Sequence, residues 1–194
     1  MSNNHLVPSK VFFTKGVGIH KEKLTSFELA LRSAGIEKFN LVTVSSIFPP
    51  RCKAVSKEIG LSYMHAGQVV FCVMSRDATN EPHRLVSASV GCAIPQDRST
   101  YGYLSEHHGF GQTEKVSGDY AEDLAASMLA TTLGIDFNPD KAWNDRKQEW
   151  KLNKHIVTTR NTTQTAVGEK TGQWVTVVAA AVFCDYNGDS VNGG

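Results

Sequence analysis

A mixed fold, α/β or α+β, in a single domain is what this sequence predicts, and three observations predict it. Apolar runs of strand length recur along the chain, and two segments carry helical periodicity with start and stop signals. No internal repeat or linker divides the 194 residues. A chain of this length buries one sizeable core without staples. With 20 Lys+Arg against 19 Asp+Glu the formal net charge is +1, so electrostatics makes no case for nucleic acid or an anionic membrane surface as partner.

The elements follow in order. KVFFTKGVGI (10–19) reads as a short strand ending in a glycine turn. Its GVG lacks the third glycine, the lysine and the following helix of a phosphate-binding loop, which argues against that function. LTSFELALRSAGI then carries the clearest helix start. Thr25 is the expected N-cap, Glu28 completes a capping box, and Leu24 and Leu29 are spaced as a hydrophobic staple. Phe27, Ala30, Leu31 and Ala34 form an apolar stripe, and Gly35 is the expected stop. A strand read as buried follows at 41–44.

Residues 51–66 are mixed and read as loop. QVVFCVMSRDA (68–78) and HRLVSASVGCAIP (83–95) read as strong strands, with NEPH as a hairpin-type connection between them. A short strand is expected around 101–105. SGDYAEDLAASMLATTLG reads as a second helix, with Asp119, Glu122 and Asp123 in its first turn and Gly134 ending it. DFNPDKAWNDRKQEWKLN is charged and proline-broken, and reads as a long excursion. KHIVTTRNTTQTAV (154–167) and GQWVTVVAAAVF (172–183) are expected to pair as a hairpin across GEKTG. The second is nearly continuous apolar, as a central strand buried on both faces should be. The tail DYNGDSVNGG is expected to be disordered.

Cysteines at 52, 72, 92 and 184 show no CxxC and no zinc spacing with histidine. They read as buried or half-buried thiols rather than disulfides or metal ligands. No run approaches transmembrane length, and MSNNHLVPSK lacks the apolar core of a signal peptide. The expectation is a cytoplasmic protein.

Three places can carry chemistry. In NLVTVSSIFPP a β-branched run leads rigidly into Ser45-Ser46, and the double proline forces an extended geometry at Phe48. Two serines after a strand are ordinarily a turn. A backbone pinned on both sides can also hold a hydroxyl against the preceding carbonyl carbon. Glu106 lies in STYGYLSEHHG beside His107 and His108. Adjacent side chains of an extended segment point to opposite faces, so EHH cannot place all three groups on one ion. Glu28 is already explained by the capping box.

Together these residues resemble the pyruvoyl-dependent arginine decarboxylases. The resemblance runs through KGVG, LTSFELALRSAGIEKFNLVTVSSIFPP, VSASVGCAIP, YGYLSEHHG and the closing RNTTQTAVGEKTGQWVTVVAAAVF. Its most specific part is the AGI…NL…SSI.PP pattern, which matches the family's processing-site signature without a gap.

The resemblance implies an α+β fold, a layered β-sandwich flanked by helices (αββα-like), in a proenzyme that cuts itself between Ser45 and Ser46. Ser46 Oγ attacks the Ser45 carbonyl, and an ester, β-elimination and hydrolysis follow. The products are a β chain of residues 1–45 and an α chain of 46–194 carrying an N-terminal pyruvoyl group derived from Ser46. The pyruvoyl carbonyl takes the substrate amine as a Schiff base and serves as electron sink while CO2 leaves. Asn40 matches the family's oxyanion-holding asparagine and Glu106 its proton-donating glutamate. Glu28 matches the acidic residue facing the substrate guanidinium, and Leu31 an apolar position of that pocket. Metal is not implied. The family's usual AFD-x-AL is SFELAL here, one methylene longer, so another amino acid is the alternative substrate; an unprocessed, non-catalytic homologue is the alternative from another class. Family members are trimers with active sites between subunits, which implies the same for this chain.

Overall fold

In a computed structural model of the chain, residues 6–135 and 156–186 are described. Among them are nine strands and three helices: β1 (Lys10–His20), α1 (Lys23–Ala34), β2 (Asn40–Thr43), β3 (Ile47–Phe48), β4 (Lys53–Val55), α2 (Lys57–Ser62), β5 (Val69–Thr79), β6 (Leu85–Pro95), β7 (Gly102–Phe110), α3 (Glu114–Thr132), β8 (Ile156–Val167) and β9 (Trp174–Cys184). One sheet has the order β2-β5-β9-β1-β4 and the other β3-β7-β6-β8. The expected layered α+β sandwich is the observed one: α1 covers the outer face of the first sheet, and α3 that of the second.

The strand β9 shows how the pattern builds these layers. Successive side chains alternate between faces. Val177, Ala179, Ala181 and Phe183 enter the core between the sheets with Val90, Cys92 and Leu104. Val178, Ala180, Val182 and Cys184 enter the second core, with Phe12 and with Ala30 and Ala34 of α1. A strand buried on both faces must be apolar at nearly every position, which is the run the sequence displays, Thr176 apart.

Several expectations are corrected. The glycines of KGVG are not a turn; β1 runs through them, paired antiparallel to β9 from Lys10 to His20. They are small because α1 lies directly on them, and a Cβ at Gly16 would collide with the Ala30 carbonyl oxygen. Gly16→Ala is therefore expected to push α1 off the sheet, costing about 1–3 kcal/mol. A urea midpoint unchanged from wild type would contradict that packing.

The capping box is also absent. Helix α1 starts before Thr25, with Glu22 as N-cap and no side-chain cap bond. Leu24 is 79% exposed and staples nothing. Tertiary contact sets this helix instead: the buried Ser26 hydroxyl meets Thr176 Oγ1 of β9 at 2.6 Å. Gly35 does end it, in the left-handed region at φ 78°.

Neither expected hairpin forms. The β5 and β6 strands lie in different sheets, as do β8 and β9, because each strand finds a better-buried partner than its neighbour in sequence. The two connections instead hold each other, His83 N donating to Gly168 O at 2.9 Å and Gly168 N to Arg84 O at 2.8 Å. Residues 51–66 are not loop: they hold β4 and α2, capped by Ser56, whose hydroxyl accepts from Ile59 N. Strand β7 is longer than expected and places Glu106 within it. Helix α3 begins earlier, at Thr113, so Glu122 lies deep in the helix, buried and accepting from Asn161 Nδ2 at 3.0 Å. Gly134 follows it with φ 66°.

The excursion over 136–153 and most of the tail lie outside the described residues. The tail's first two residues are packed rather than disordered: Asp185 accepts from Ser9 and Lys10, and Tyr186 packs edge-on against Phe71. All four cysteines are buried and unpaired, and burial pushes Cys52, Cys72 and Cys92 up to about 12, which leaves them inert as nucleophiles. No described helix is long and apolar enough to cross a membrane.

Candidate active site

The chain changes sheets at the two serines. Strand β2 runs parallel to β5, with Thr43 opposite Cys72, and Val44 N extends the ladder to Cys72 O at 2.9 Å. Strand β3 belongs to the other sheet, pairing Ile47 with Tyr103 and Phe48 with Gly102. Ser45 and Ser46 bridge the gap. On the far side the Ser46 carbonyl accepts from Leu104 N at 2.7 Å. Phe48, 1% exposed, anchors the segment in the core between the sheets, a burial worth about 2 kcal/mol.

The peptide between these anchors is polarised. Ile47 N donates to the Ser45 carbonyl oxygen at 3.0 Å, so a backbone dipole already faces the oxygen that would take charge if Ser46 Oγ attacked. Ser45 is exposed and Ser46 half-buried. The strand leading in is not buried as expected: Val42 is 40% exposed and Val44 36%. As the outermost strand of its sheet, β2 has a neighbour on one side only.

Beside this segment lies a cleft of about 790 Å³ between α1, β2, β5 and β7, lined in part by Leu31, Asn40, Val44, Met74, Arg76 and Glu106. The structure thus gathers Asn40, Glu106 and Leu31. Glu106 stands on the face of β7 that Leu104 shares, two residues from the amide holding Ser46, which is about 7 Å along a strand. Glu106 is exposed along β7, yet partial desolvation in the cleft raises its carboxyl above its ordinary value, while the Met74 backbone amide and then His108 act in the opposite sense. Its neighbour His107 turns to the other face, against Gln112 at 2.7 Å and the Tyr120 ring at 4.4 Å. Among the described residues no three His, Cys, Asp or Glu side chains converge on a metal position.

Two candidates are placed differently. The Glu28 carboxylate pairs with Arg32 one turn along α1, at 2.5 Å, and does not line the cleft. The Asn40 amide donates to Gly67 O at 2.8 Å, so one of its two N–H hydrogens is committed there. Sequence reasoning missed Arg76, whose guanidinium sits 4.5 Å from the Phe27 ring centroid in the cleft wall. A cation, followed at once by Asp77, at the end of the apolar run QVVFCVMSRDA was the signal for it.

The chain that carries this bond has relatives in sequence. A family model described as pyruvoyl-dependent arginine decarboxylase matches residues 10–188. A protein of Methanosarcina acetivorans named pyruvoyl-dependent arginine decarboxylase 2 is 57% identical over 92% of this chain and 97% of its own length. Proteins named probable pyruvoyl-dependent arginine decarboxylase are 62% identical in Chlorobaculum tepidum and 59% in Chloroherpeton thalassium, each over 91% of this chain and 97% of its own. With such matches over nearly the whole of both chains, the protein belongs to the pyruvoyl-dependent arginine decarboxylase family, enzymes whose cofactor is a covalently bound pyruvoyl group.

Proposed function

We propose that this single-domain chain cuts itself between Ser45 and Ser46, giving residues 1–45 and 46–194, and that the processed protein converts L-arginine to agmatine and CO2. The observation that carries the proposal is the Ser45–Ser46 peptide, stretched between the sheets with hydrogen bonds on both flanks and on its own carbonyl. A serine hydroxyl is a weak nucleophile at neutral pH, so fixed geometry must supply much of the acceleration. Asn40, with one amide hydrogen uncommitted to Gly67, is a side-chain donor to the developing oxyanion.

A pyruvoyl group suits position 46. The Ser46 carbonyl is held by Leu104 N and would be the group's acyl carbonyl, and scission of the preceding bond would free its other end beside the cleft. The group supplies an electrophilic carbonyl that takes the substrate amine and draws electrons from Cα as CO2 departs. Glu106 then delivers its proton to Cα, a role that its raised pKa suits. Leu31 and Phe27 keep water from the substrate's methylene chain, and Arg76 attracts the carboxylate end.

Reading the substrate guanidinium falls to Glu28 once Arg32 releases it, an exposed helix pair holding only about 0.3–0.5 kcal/mol. The site is completed by a neighbouring copy in a homotrimer, which the exposed Val42, Ile47 and Val69 around the unpaired edge of β2 support. Unpaired thiols at all four cysteines suit the reducing cytoplasm.

The test joins intact mass under denaturing conditions with CO2 release from arginine, lysine and ornithine. Two chains meeting at residues 45 and 46, the larger blocked by pyruvoyl, with arginine preferred, are expected. Glu28→Gln should lower kcat/KM for arginine about 10- to 100-fold, as for a lost charge-assisted hydrogen bond. An uncut chain would end the proposal, and equal rates on the three amino acids would end the substrate assignment.

A further inference from the structure

A second cavity, about 380 Å³, lies against the same segment, with Val44 common to both. Its wall is formed by Val44, Ser45, Ile47 and Pro49 with Phe71 and Tyr186. It is apolar almost throughout, the side-chain hydroxyls in its wall being those of Ser45 and Tyr186.

The Tyr186 hydroxyl is hidden from solvent, and among the described residues no group stands in hydrogen-bond geometry to it. The Phe71 backbone amide is near enough to act on its oxygen, but an N–H is a donor and cannot accept the phenol proton. The ring is held, not loose: it packs edge-on against Phe71 with centroids 6.0 Å apart, and its neighbour Asp185 is tied to Ser9 and Lys10. An orphaned buried hydroxyl costs about 1–3 kcal/mol relative to a satisfied one. Among the described residues nothing accepts the phenol proton, so the donor half of the hydroxyl is unspent in the uncut chain.

The Ser45 carbonyl has the complementary need. It takes one hydrogen bond, from Ile47 N at 3.0 Å, and a carbonyl oxygen has a second lone pair. We propose that Tyr186 is a catalytic residue of self-processing, its hydroxyl donating to the Ser45 oxygen as Ser46 Oγ adds to the carbonyl carbon. This rests on the processing reading above. As the C–Oγ bond forms, the carbonyl π pair moves onto the oxygen, which takes hydrogen bonds from Ile47 N–H, the Asn40 amide and the Tyr186 hydroxyl. The pair then returns, the C–N bond to residue 46 breaks, and the proton lost from Oγ ends on that nitrogen. The phenol is a donor throughout and is not consumed. Burial first of all pushes it up to about 12, so it keeps its proton over the pH range in which the protein works.

The test uses the full chain, refolded from denaturant and sampled over time by intact mass. Tyr186→Phe is expected to slow cleavage about 10²- to 10³-fold, the usual loss for one oxyanion donor. Melting is compared with and without Tyr186→Phe in a Ser46→Ala background, so that the two chains are equally uncut. There the substitution is expected to leave the melting temperature unchanged or raised. Cleavage at the wild-type rate would overturn the assignment, and so would slowing accompanied by a lower melting temperature, which marks a structural role. A wild-type chain that never cuts would overturn the processing reading and this inference with it.

Discussion

Ser46→Ala is expected to remain a single chain of about 21.2 kDa under conditions in which the wild type is expected to separate into residues 1–45 and 46–194. It removes the only hydroxyl able to reach the preceding carbonyl through a short ring, and alanine cannot become a pyruvoyl group by elimination. Decarboxylation should therefore be lost outright rather than reduced. The fold should survive, because the Ser46 contact that matters to packing is its backbone carbonyl on Leu104 N, and alanine keeps it. Denaturing mass spectrometry and circular dichroism check the two halves of this expectation. Cleavage at 45/46 in the alanine variant would assign the nucleophile elsewhere. Ser45→Ala is the informative partner: it retains the Ser46 hydroxyl and should still cut.

Glu106→Gln separates the two reactions that share the site. It is expected to process normally, since the proposed scission uses no carboxyl and glutamine keeps the shape of Glu106 and an acceptor for the Met74 amide. Decarboxylation should fall about 10²- to 10⁴-fold, the usual contribution of a positioned general acid. Normal activity in the processed variant would remove Glu106 from the chemistry.

The pH dependence carries a sign. Partial desolvation holds the folded carboxyl above its ordinary value of 4.5, so the folded chain keeps this proton where the unfolded chain has lost it. The resulting stabilisation is full below 4.5 and is lost as pH rises through the folded value. Activity that depends on the proton declines on the same limb. Glutamine does not titrate, so that limb should disappear from a plot of melting temperature against pH in Glu106→Gln. The rest of the curve should be kept.

Much of the site was legible in one dimension because its parts are close in sequence or punctuated by unusual residues. The serine pair, its β-branched approach and its two prolines lie within one short segment. Glu106 stood out as a carboxylate beside two histidines, just after an expected short strand, and Leu31 belonged to a clear helical stripe. Arg76, Met74 and Tyr186 were not assigned, because each earns its place only from what faces it. The capping box failed for a related reason: local hydrogen-bonding signals were outweighed by the fit of small residues on α1 to the glycines of β1.

By itself the sequence determined the class of residue at each position: which runs are apolar on both faces, where helices stop, and which hydroxyl precedes which carbonyl. Those properties follow from side-chain chemistry and period, and they are local. The tertiary structure alone decided that the hairpin-like neighbours would part into different sheets, that Glu28 would pair with Arg32, and that Ser45-Ser46 would span the gap between sheets. Strand partners are chosen by total burial over the whole fold, and burial depends on surfaces that meet only after the chain has closed on itself.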